Sequence, residues 1–179
     1  MGKREFERYL KQQSSTAELL IDWDTQKDEW LNQLSQFYKR VEDFLQKYVT
    51  SGDILLTYRE KTISEDPIGS YPVKEMHIQI KNEKVVLDPI GTNIIGAKGR
   101  VDMKGSAGIV KFVLVPKGST LPSVRITIAG QPVLKEIQTK EETDSIEWDW
   151  KIATPPPRIK YIEVNGDSFF DSLMEVIND

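Results

Sequence analysis

A chain of 179 residues with 39% hydrophobic and 29% charged residues and a mean hydropathy of −0.43 has the size and balance of one ordinary domain, and its apolar runs are too short to span a bilayer. The absence of cysteine excludes disulfides, thiolate metal sites and cysteine nucleophiles. A formal net charge of −4 and a pI near 5.2 exclude a basic footprint for nucleic acid over the whole surface, though not a local one.

The opening MGKREFERYLKQQ lacks the apolar core of a secretion signal, and Phe6 stands where a myristoylation motif needs serine or threonine. The expected location is the cytoplasm. Phe6, Tyr9 and Leu10 predict a short helix within Met1 to Ser14. Ser15 to Glu18 and Thr25 to Asp28 each have the form of a capping box, so the helix restarts at the second or only one box is used.

Trp30, Leu34, Phe37, Val41, Phe44 and Tyr48 then step by four and three, with Leu31, Tyr38 and Leu45 beside them. This is an amphipathic helix that ends at Ser51-Gly52. Its broad aromatic stripe suits packing on a sheet, and the Trp30 to Tyr48 stripe is also a candidate homodimer seam.

Ile54 to Lys61 alternates as a first strand, with Ile54, Leu56 and Tyr58 on one face and Leu55, Thr57 and Arg59 on the other. Ser64 to Ser70 is a turn. Val73 to Lys81 is a second strand with Met76, Ile78 and Ile80 on its apolar face; Asn82-Glu83 turns it back into Val85 to Leu87. From Val85 to Pro116, β-branched runs alternate with Gly91, Gly96, Gly99, Gly105 and Gly108. That pattern predicts strands around Ile94, over Arg100 to Met103 and over Ile109 to Val115.

Gly118 to Pro122 turns, Val124, Ile126 and Ile128 mark another strand, and Gln131 to Asp144 is an acidic loop. Ile146, Trp148, Trp150 and Ile152 alternate with Glu147, Asp149 and Lys151, as a strand with one buried and one wet face does. Pro155-Pro156-Pro157 stops the ladder. Tyr161 to Val164 forms a last short strand, and Asp167 caps a terminal helix with Phe169, Phe170, Leu173, Val176 and Ile177 on one side. The expected fold is α+β in a single domain: a helical segment over 1–50, a β-rich body over 53–164 and a helix over 167–178. Its sheet is largely antiparallel, with six to eight strands.

His77, the only histidine, falls with Glu75 and Gln79 on the wetter face of its strand. No Gly-x-Ser-x-Gly elbow accompanies it, and no second histidine exists to share a metal. Asp88-Pro89 followed by Asp102-Met103-Lys104 superficially resembles the PD-D/E-x-K nucleases. That resemblance implies that Asp88 and Asp102 hold a divalent ion and that Lys104 stands near the scissile phosphate. Two departures set it apart: Asp88 and Pro89 are in reversed order, and Gly105 to Gly108 promises a tight turn where those folds place a helix.

Between Gly91 and Lys117, Lys98, Arg100, Lys104, Lys111 and Lys117 stand against Asp102 alone, a net of +4. Glycines 91, 96 and 99 would let backbone amides approach a phosphate. Glu141, Glu142, Asp144, Glu147 and Asp149 form an opposing acidic patch. These features point to a non-catalytic cytoplasmic binding module acting on a protein partner, such as an accessory, regulatory or inhibitor-like protein of a bacterial system, without a cofactor. Lys98, Arg100, Lys104 and Lys111 would be its binding residues. The alternative is a metal-dependent nuclease or phosphodiesterase, or a phosphate- or nucleic-acid-binding protein, using residues 88–104, with Asp88, Asp102 and Lys104 as its site.

Overall fold

The computed structural model describes residues 2–9, 22–92, 94, 97–122 and 146–178. Among the described residues three helices, α1 (2–9), α2 (Trp23–Ser51) and α3 (Gly166–Ile177), accompany seven strands: β1 (Ile54–Glu65), β2 (Gly69–Ile80), β3 (Glu83–Gly91), β4 (Gly99–Lys104), β5 (Ile109–Pro116), β6 (Trp148–Ala153) and β7 (Tyr161–Glu163). The strands form one antiparallel sheet in chain order, β1 to β7. The α+β expectation therefore holds. The Ser15–Glu18 box, Gly96, the Val124 to Ile128 strand and the Gln131 to Asp144 loop lie outside the described residues.

Both long helices start one cap earlier than the sequence suggested. Asp22 caps α2, accepting the backbone N–H of Thr25 at 3.2 Å and its hydroxyl at 2.7 Å. Thr25 thus lies inside the first turn, because a carboxylate upstream already satisfies the amide that a cap must serve. Asn165 caps α3 in a capping box with Ser168, and Asp167 sits in the first turn, where the helix dipole favours it. Gly52, at φ 85°, ends α2 as expected.

Trp30, Leu34, Phe37, Val41 and Leu45 of α2 are buried on the sheet. Phe37 stacks on Trp150 of β6 at 4.6 Å and meets Phe112 of β5 at 5.2 Å. Phe169 of α3 lies 5.4 Å from Phe44 of α2 and 6.4 Å from Phe112. Aromatic pairs at these separations stabilise by about 0.5–1.5 kcal/mol each beyond the area they bury. The stripe is thus occupied within the chain, and Tyr48 at its end packs edge-on against Phe170.

Two glycines of the central stretch serve this packing. A Cβ on Gly99 would overlap the Trp30 ring, and one on Gly105 would overlap the carbonyl oxygen of Val176. The turn after Gly105 also donates the Ala107 N–H to that carbonyl at 2.8 Å, satisfying an acceptor at the end of α3.

The β1–β2 hairpin is longer than expected on both arms and closes through residues 66–68, where the Asp66–Pro67 peptide is cis. β2 pairs with β3 only from Ile80 to Met76 and then parts from it, leaving a two-stranded ribbon. Along this ribbon the buried positions change parity, from Ile54, Met76 and Ile78 to Ile63, Tyr71 and Val73, without a break in register. Strong twist, the habit of two-stranded ribbons, brings the second face inward.

β3 continues beyond Leu87 to Gly91, with a register shift between Pro89 and Gly91, and Lys81-Asn82 makes its turn from β2. Of the strand expected around Ile94, the described residues show an isolated bridge from Ile94 to Ala97.

Candidate functional site

On the sheet face opposite the helices, β3 and β4 place Asp88 directly across from Asp102, and Asp102 directly across from Lys111 of β5. Arg100 and Lys104 share this face with Asp102 by strand alternation. Arg100 grips Asp102 with two hydrogen bonds, Nε to Oδ1 and a terminal nitrogen to Oδ2, both 2.7 Å. Lys104 donates to Asp88 Oδ2 at 2.7 Å, while Lys61 of β1 donates to Oδ1 across the fork where β2 leaves β3.

Electrostatics follow this geometry. Burial alone would raise the Asp88 carboxyl, but the hydrogen bonds and charges of Lys104 and Lys61 outweigh it and hold it below the ordinary range. The hydrogen bond from Arg100 to Asp102 raises the guanidinium further, and that from Lys104 to Asp88 raises the ammonium. Tyr38 of α2 enters the same fork from below and donates to the Lys74 carbonyl at 2.5 Å. Burial, with the Asp88 charge behind it, pushes its phenol far up.

Asp88, Asp102, Arg100 and Lys104 are therefore brought together, and the sequence reading missed Lys61. Each carboxylate oxygen is engaged by a cation of the same chain. Among the described residues no group of three or more His, Cys, Asp or Glu side chains is placed to hold a metal ion. The arrangement is a cross-strand ion-pair lattice that ties β1, β3 and β4 together.

Lys98 stands apart, at the end of β4, paired with Glu29 of α2 and 4.9 Å from the Trp148 ring. His77 is on the predicted face yet buried, its Nε2 2.9 Å from Glu75 Oε2. Lys151, expected on a wet face, is buried as well, between Asp149 at 3.9 Å and Glu163 at 3.6 Å. Of the acidic patch, Glu147 pairs with Lys117 at 3.1 Å, and Glu141, Glu142 and Asp144 lie outside the described residues.

The glycine turn at Gly91 does hold an anion, and it is Glu65. That carboxylate accepts the Thr92 N–H and the Tyr71 hydroxyl, both at 2.6 Å, and occupies the space a Cβ on Gly91 would fill.

A second feature lies at the other end of β5 and β6. Between these strands, β7 and α3 opens a groove of about 280 Å³. Val110 and Ile152 of its lining are buried, and Ile109 and Ile162 are 56% and 46% exposed. By strand register Ile162 shares the α3 face with Val110 and Ile152, whereas Ile109 and Lys111 take the other face. Pro155 and Pro156 line the groove as well, the rigid stretch that ends β6. The helix side supplies Ser168, Ser172, Asp171 and Glu175, and Lys111 is its one lining cation. Nothing in the local pattern of these residues marks them in sequence, because the groove is made where four elements, β5, β6, β7 and α3, meet. Comparison with protein-family models, with curated proteins and with solved structures finds no match.

Proposed function

We propose that the protein is a non-catalytic binding module that holds a segment of another protein in the groove between β5, β6, β7 and α3. The observation that carries this reading is that Ile109 and Ile162, two branched aliphatic side chains in the lining of one mainly apolar groove, are left about half exposed. Covering such surface yields roughly 25 cal/mol per Å², which is what a docking partner supplies. Lys111 borders the groove and forms no ion pair among the described residues, and it alone of the four predicted binding cations is part of the lining. Lys98, Arg100 and Lys104 are engaged in holding the fold.

The test is affinity capture from native extract with wild-type protein and with Ile109→Asp and Ile162→Asp. Both residues are exposed, so the variants should keep the wild-type unfolding midpoint. A stoichiometric protein retained by wild type and lost from both variants supports the reading. Equal retention by all three, or retention of nucleic acid alone, overturns it.

A further inference from the structure

The groove has an electrically one-sided wall. Asp167, Asp171 and Glu175 succeed one another at intervals of four along α3, all exposed, and none forms an ion pair among the described residues. The last turn of α3 carries no basic residue, so the partial negative charge of the helix end adds to that of Glu175. Asp171 and Glu175 line the groove itself, and its one lining cation, Lys111, belongs to the sheet face away from α3. Ile162 shares the α3 face of the sheet with Ile152, and Ile109 lines the same groove from the edge of β5. A cavity of about 280 Å³ sits at the small end of the ~300–1,000 Å³ range of ligand pockets. Its size suits one or two side chains of a protein partner.

We infer that the segment docked here presents a branched aliphatic residue beside a lysine or arginine, an inference that rests on the groove being the binding site. The aliphatic side chain packs beside Ile162 on the α3 face, with Ile109 at the sheet edge of the same groove, and the cation faces Asp171 and Glu175. Opposite charges across such a rim fix orientation and partner choice and are weakened by salt.

The experiment is a selection of random displayed peptides on the immobilised full chain, followed by affinity measurements on the peptides recovered. Expected are peptides with an aliphatic residue flanked by Lys or Arg, bound about tenfold more weakly by the double variant Asp171→Asn, Glu175→Gln. That gap should narrow as salt rises toward 1 M, where screening reaches within about 3 Å. If the recovered peptides lose affinity for Ile162→Asp but show no basic preference and bind the double variant unchanged, the inference on charge falls and the groove reading stands. Should no recovered peptide depend on Ile109 or Ile162, both fall.

Discussion

Asp88 and Asp102 face each other directly across the β3–β4 ladder, yet each is held by its own cations, Asp88 by Lys61 and Lys104 and Asp102 by Arg100. Like charges set opposite one another on a sheet destabilise it, and here three cations offset two carboxylates. The juxtaposition that gave the stretch its nuclease-like look is thus a balanced lattice across three strands.

The lattice has a pH signature. The Asp88 carboxyl titrates below its ordinary value, so its contribution is complete above the unfolded value of about 3.9 and is lost as pH falls through the depressed one. Asp88→Asn should lower stability by about 1–2 kcal/mol at pH 7, between the values for exposed and buried pairs. Urea denaturation of both proteins between pH 7 and pH 2.5 should show the gap closing below about pH 4. A gap constant with pH would show that the charge of Asp88 contributes nothing.

Incubated with magnesium or manganese and single- or double-stranded nucleic acid, the purified protein should release no fragments, because Lys61, Lys104 and Arg100 occupy the oxygens a metal would need. Metal-dependent cleavage that disappears in a folded Asp102→Ala variant would reinstate the catalytic reading.

Three glycines should respond differently to alanine. Gly99→Ala drives a methyl group into Trp30 and Gly105→Ala into the Val176 carbonyl, whereas a Cβ on Gly108 meets nothing within 4 Å. Thermal unfolding should show losses of about 1–3 kcal/mol for the first two, the usual cost of overpacking. Gly108→Ala should stay near wild type.

Glu65 answers for the β3–β4 connection. Glu65→Ala removes the acceptor of the Thr92 N–H and the Tyr71 hydroxyl, and an amide left without its partner costs about 1–3 kcal/mol. Hydrogen exchange should quicken at Thr92 in this variant. Exchange there at the wild-type rate would mean that the carboxylate is not what protects the amide.

Much of the architecture could be read from residue patterns alone. The Trp30 to Tyr48 stripe, the alternation through Met76, Ile78 and Ile80, and that through Trp148, Trp150 and Ile152 each require one kind of element, and those elements are present. Caps were misplaced because Asp22 and Asn165 compete with equally suitable neighbours a few residues on. The parity change toward Tyr71 and Val73 arises from ribbon twist, which one strand's pattern does not encode. His77 and Lys151 were assigned to a wet face because alternation tells which side a residue takes, not what burial that side has.

For the candidate site, Asp88, Asp102, Arg100 and Lys104 could be grouped from spacing on adjacent strands. Lys61 could not, since it reaches Asp88 from β1 past the parting of β2 and β3. Ile109, Ile162 and Glu175 come together only once α3 has docked.

Phe169 stands between Phe44 and Phe112, and this has a consequence for synthesis. The meander can be laid down strand by strand as the polypeptide leaves the ribosome, each new strand pairing with the one just made. The part of its interior that α2 leaves uncovered, beside Phe44 and Phe112, however, stays open until the residues of α3 emerge. Nascent chains halted before Gly166 should therefore carry a sheet with part of its apolar face uncovered, the kind of species that chaperones bind and proteases remove.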